Sequence, residues 1–210
     1  VDSGEGLSAE LKTLADVEHS YEYIRADESE KRDELIQNLE AAPSFCFDLE
    51  TNSLDEKTAS IIGIAFSCQA HKASYVEIPP GEEAAAALAP FRKLFADTTR
   101  EKIVRNLKFE IGVLQWQGFT VATPVFDTML AHTLIEPDQR HKMDYLAESI
   151  LGYKPIAYVE VFGKANETSG QMSLFGEEEM SGESEDAGPA FEAIAEYACE
   201  DADITWQLAV

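Results

Sequence analysis

Apolar runs short enough to be strands alternate with stretches of helical spacing along the first two thirds of the chain. Residues 21–25 predict a first strand and residues 27–40 a charged amphipathic helix. After Pro43, the run Ser44-Phe45-Cys46-Phe47 is dense in aromatics, and residues 45–50 predict a buried central strand. Residues 60–67 and 74–78 predict two strands joined hairpin fashion by a polar turn, with Pro79-Pro80-Gly81 ending the second. The Ala-rich run 83–95 predicts one helix. A short strand at 103–105 then leads into three or four helices up to Leu151. From Pro189 to Val210, the residues Phe191, Ile194, Ala195, Ala198, Ala202, Thr205 and Leu208 recur at helical spacing and predict a single amphipathic helix. Strands followed by helices in this order give an α/β class, a mixed central sheet flanked by helices.

Three clusters on this scaffold carry chemistry. Asp48 and Glu50 fall at the carboxyl end of the central strand, two residues apart, so both carboxylates leave one face. Buried carboxylates need cations or solvent, and hard divalent ions such as Mg2+ or Mn2+ take such oxygen ligands. Tyr197 and Asp201, four residues apart, share a face of the last helix, where a phenol can hold or deprotonate a water; Asp203 points elsewhere and is expected to be solvated. Asn106-Leu107-Lys108-Phe109-Glu110 places Glu110 in the first turns of a helix. Each cluster also has a plainer reading: a solvated strand end, a Tyr packed on a helix side, a carboxylate favoured by the helix dipole. A second Asp-x-Glu, Asp16-Val17-Glu18, has no apolar strand before it.

Taken together and in order, the clusters resemble the three motifs of the proofreading 3'-5' exonuclease domain of bacterial DNA polymerase I, a Tyr-containing branch of the DEDD exonucleases. Phe47-Asp48-Leu49-Glu50-Thr51 with Ser53-Leu54 is similar to the first motif, Asn106 to Glu110 to the second, and Tyr197 to Asp203 to the third, while Phe126-Asp127-Thr128-Met129-Leu130 and residues 143–148 between them are similar to connecting helices of that domain. The resemblance implies a ribonuclease H-like fold and removal of nucleoside 5'-monophosphates from DNA 3' ends. It implies two divalent ions, Mg2+ with Mn2+ or Zn2+ as alternatives. Asp48, Glu50 and Asp201 would hold the first, Asp48 would bridge to the second, and Glu110 would help position that second ion. Tyr197 would orient or deprotonate the attacking water. Substrate contacts are implied at Thr51, Leu54, Asn106 and Tyr158. The family's second motif ends in Asp, so Glu110 is a departure whose extra methylene predicts an active but slowed enzyme. Two other functions share these residues: a catalytically impaired domain kept as a platform for a polymerase, and an RNA exonuclease of the ribonuclease D kind.

Charge adds a constraint. With 40 acidic against 16 basic residues the net charge is -24, which argues against a free-standing nucleic-acid binder. The expected partners are a single-stranded or frayed DNA 3' end, bound weakly, and a polymerase domain in cis; a membrane is not among them, since no run is long enough to span one. One domain over 1–210, excised from a larger polymerase, is expected. Cys46, Cys68 and Cys199 are scattered and odd in number, which suits reduced cysteines in a bacterial cytoplasmic protein. His132 and His141 flank a loop and are expected to be structural. Residues 164–190 are rich in Gly, Ser and Glu and predict a flexible acidic loop. Within it, Gln171-Met172-Ser173-Leu174-Phe175 resembles the pentapeptide by which replication proteins dock on the β sliding clamp; Gln171, Leu174 and Phe175 would make that contact, unless they pack on this domain instead.

Overall fold

The computed structural model describes residues 11–162 and 190–210. Residues 164–189 of the expected acidic loop, the clamp-like motif among them, lie outside the described residues. Six strands form one mixed sheet: β1 (Ser20–Ile24), β2 (Ser44–Thr51), β3 (Ile61–Gln69), β4 (Lys72–Glu77), β5 (Glu101–Val104) and β6 (Val125–Asp127), in the order β1-β4-β3-β2-β5-β6. The pairs β2/β3 and β3/β4 are antiparallel, while β1/β4, β2/β5 and β5/β6 are parallel.

Strand alternation sorts the two faces. Phe45, Phe47 and Leu49 of β2, Ile64 and Phe66 of β3 and Val104 of β5 pack with α1 (Ser29–Ala41) and the segment after α2 (Glu83–Leu88). On the other face, Cys46, Ala65, Ala73, Tyr75 and Ile103 meet Ala195, Ala198, Cys199 and Ala202 of α8 (Phe191–Gln207). The aromatic run on β2 thus fills one layer, and the residues between it are free to face α8.

Two expectations need correction. Residues 83–95 do not form one helix. Pro90 lacks an N–H and crowds the carbonyl four residues earlier, so α2 gives way to a 3-10 turn at Ala89–Phe91 and then α3 (Arg92–Phe95). Phe126 and Asp127 are not helical either. They end β6, and Asp127 caps α5 (Thr128–Ile135) by accepting from Met129 N–H (2.8 Å) and Leu130 N–H (3.2 Å). α4 spans Leu107–Trp116, and α6 (Met143–Leu146) passes into a π-helical turn, Ala147–Leu151. α7 (Tyr158–Phe162) completes the described helices. None of them is long and apolar enough to cross a membrane.

Candidate active site

The site forms where β2 leaves the sheet. Asp48 and Glu50 are on the same β2 face as Cys46, so they point to the α8 side. Glu50 sits opposite Gly63 of β3. A Cβ at Gly63 would stand 2.0 Å from the Tyr75 hydroxyl, so only glycine lets that ring lie beside the carboxylate. α4 adds Glu110, which is buried and accepts from the Leu49 N–H (3.2 Å). Asn106, at φ 60 and ψ 53, makes the turn from β5 into α4. Asn tolerates this left-handed conformation better than most residues. The Asn106 carbonyl accepts from Phe109 and Glu110 N–H, while Asp127, not the Asn106 side chain, takes the Leu107 N–H (2.8 Å).

α8 supplies the remaining groups. Its small residues let it lie close on β2, β3 and β4, bringing Asp201 to the carboxylates and putting the Tyr197 hydroxyl within hydrogen-bonding reach of it. Tyr197 also meets an aromatic group on α7: its ring is 5.6 Å from Phe162 and 6.4 Å from Tyr158, which stack on each other at 4.5 Å.

Electrostatically the four acids work against one another. Burial, and then the pull of neighbouring negative charge, raises Glu50 to about 8. Burial raises Asp48 to about 7, with Arg105 pulling the other way. Glu110 and Asp201 are pushed well above the carboxylate range by burial first and by Asp48 next; the Leu49 N–H and Tyr197 respectively oppose the shift. The Tyr197 hydroxyl is raised by burial and by Asp201, so it stays protonated at neutral pH.

Among the described residues no three His, Cys, Asp or Glu side chains close on one point as a ready-made ion cage. The donor set nevertheless fits a hard divalent ion. Four carboxylates repel one another in a part-buried place, and Asp201 Oδ1 is buried without a hydrogen-bond partner.

The implied substrate contacts are differently placed. Leu54 is 47% exposed beside the end of β2 and offers apolar surface. Tyr158 lies close enough to Glu50 to feel its charge. The Asn106 side chain is exposed. Thr51 is buried and spends its hydroxyl on the Ser53 carbonyl (2.9 Å), holding the loop that carries Leu54.

Asp203 is not solvated. It is buried and accepts from Tyr21 Oη (3.0 Å), His71 N–H (2.8 Å) and Gln207 Nε2 (2.9 Å). Sequence reasoning also passed over Glu200, fully buried and bonded to Tyr153 Oη and Ile156 N–H (2.7 Å), which ties α8 to the segment before α7. Phe162 and Arg105 were missed as well. Arg105 directly precedes the Asn106 motif, and that adjacency was the available signal.

Comparison with known proteins identifies the family. The family model described as 3'-5' exonuclease matches residues 23–210. DNA polymerase I of Borreliella burgdorferi is 34% identical over 180 residues, covering 84% of this chain and 18% of that protein. DNA polymerase I of Pseudomonas aeruginosa is 29% identical, covering 99% and 22%. The chain therefore spans about a fifth of the length of these curated relatives. Among solved structures, Brucella melitensis NrnC with bound Mg2+ matches at a TM-score of 0.60 and 20% identity, over 90% of this chain and 78% of that one. Trypanosoma brucei RNase D matches at 0.66 and 17%, over 90% and 64%. At such identities they speak for the ribonuclease H-like fold. With the family model covering nearly all of the sequence and the three motifs meeting at one sheet end, the chain belongs to the 3'-5' exonuclease family whose relatives here are bacterial DNA polymerase I.

Proposed function

We propose that this domain removes nucleoside 5'-monophosphates from DNA 3' ends, serving as the proofreading unit of a DNA polymerase I. The observation that carries the proposal is the meeting of Asp48, Glu50, Glu110, Asp201 and Tyr197, from three elements, at one end of the sheet. Asp48, Glu50 and Asp201 would hold one divalent ion, and Glu110 would help to hold a second. Bound there, such ions supply Lewis acidity and lower the pKa of water. The protein's own contribution is position. Tyr197, kept protonated, hydrogen-bonds and aims the attacking water instead of taking its proton. Leu54 and Tyr158, with Phe162 behind, offer apolar and aromatic surface to the terminal bases, a sequence-tolerant mode of binding that suits an editor.

The test is digestion of a 5'-labelled single-stranded DNA oligonucleotide with Mg2+ or Mn2+, beside an Asp48→Ala control and a matched RNA. Stepwise 3' shortening of DNA that disappears in the control is expected. Faster shortening of RNA would move the assignment to the ribonuclease D kind, a fold the domain shares. No shortening with either ion would leave the platform role, with Glu110 as the first residue to revert to Asp.

A further inference from the structure

Among the described residues, Arg105 is the basic side chain whose charge registers on the Asp48 carboxyl. Its placement follows from strand register: Cys46 pairs with Ile103 across parallel β2 and β5, and both face α8. Asp48 comes two residues further along β2, and Arg105 two residues past Ile103, just beyond the end of β5, where its charge reaches the Asp48 carboxyl. The guanidinium is held but not spent. Nη2 donates to the His141 carbonyl (3.3 Å), and His141 is itself anchored by His132, Nδ1 to Nδ1 at 2.8 Å. Nη1 is buried and has no hydrogen-bond partner, and among the described residues Arg105 forms no ion pair. Had it served only to neutralise Asp48, the two would touch.

We propose that Arg105 is a positioning residue that binds a phosphate oxygen of the 3'-terminal nucleotide through its open edge, and thereby couples nucleotide binding to divalent-ion binding. This rests on the nuclease reading above. A guanidinium with an uncommitted N–H edge matches a phosphate in shape and charge. Without nucleotide, the same fixed cation stands beside the carboxylates and weakens their hold on a metal ion. A phosphate bound to Arg105 cancels that repulsion, so each ligand strengthens the other, and the strengthening is reciprocal.

The test is titration of the protein with Mn2+, followed by the electron paramagnetic resonance signal of free Mn2+, with and without dTMP. Arg105→Gln is expected to bind Mn2+ about two- to fivefold more tightly than wild type in the absence of dTMP. The factor by which dTMP then tightens Mn2+ binding should fall at least about threefold in the variant. Arg105→Lys keeps the charge without the planar fork; it should leave Mn2+ affinity unchanged and still lose coupling, which decides the matter should the Gln variant not fold. Coupling to dTMP equal to wild type in whichever variant folds overturns the role of Arg105. A wild-type protein that binds neither Mn2+ nor dTMP overturns the nuclease reading itself.

Discussion

Asp201 and Asp203, two residues apart on α8, have opposite tasks. Asp201 keeps an unpaired oxygen at the site, whereas Asp203 satisfies three donors from β1, the β3–β4 turn and its own helix. Asp203→Ala would leave the Tyr21 hydroxyl and the His71 N–H unsatisfied in a buried place, so a loss of about 2–4 kcal/mol in chemical denaturation is expected. Glu110→Gln should act the other way. The amide oxygen can still accept from Leu49 N–H, while a like charge leaves the cluster; the metal-free fold should gain stability and the nuclease lose at least tenfold in rate. That the carboxylates and Tyr197 come together was legible in the sequence because each lies in a stretch that resembles one of the family's three motifs. Asp203 was misjudged because its partners, Tyr21 and His71, are remote in sequence, and no local spacing shows them.

At the scale of elements, α8 is the part on which the site depends most. Ala195, Ala198 and Ala202 are all fully buried against the sheet, so the helix approaches only as closely as a methyl group permits. Ala198→Leu is expected to cost about 1–3 kcal/mol by overpacking. It should also shift Asp201 and Tyr197 outward, cutting turnover about a hundredfold while circular dichroism stays native. Its helical period and its small residues were readable from the sequence, as was the aromatic strand β2. The interruption at Pro90 could have been read from the missing N–H, but the Ala-rich run outweighed it. β6 could not be read, because three residues are too few to show a period; only pairing with β5 makes it a strand.

For the whole molecule, the site is a source of pH dependence. Unfolded, its carboxyl groups titrate near 4; folded, Asp48 and Glu50 titrate at about 7 and about 8, with Glu110 and Asp201 also raised. The folded state thus binds more protons than the unfolded one between roughly pH 4 and pH 8, and stability falls as pH rises through that window. Asp97, lowered to about 2 by its Thr99 hydrogen bonds, acts in the opposite sense but only below that window. The melting temperature of metal-free protein should therefore decline from pH 5 to pH 8, more shallowly in Glu110→Gln. Added Mg2+ should raise it by more at pH 8 than at pH 5, because its ligands must be deprotonated. A flat profile that Mg2+ leaves unmoved would argue against a shared ion site.

The order of the elements along the chain has a consequence for synthesis. All six strands are complete by Asp127, and Asp48, Glu50 and Glu110 have by then been made. Asp201 and Tyr197 come only with α8. A ribosome adding about 5–20 residues each second therefore spends several seconds between the last strand and the last helix, with the carboxylates of β2 and α4 made but Asp201 and Tyr197 still to come. On the function proposed above, cleavage would begin only when the last helix docks, and the nascent domain would spare nucleic acid until then.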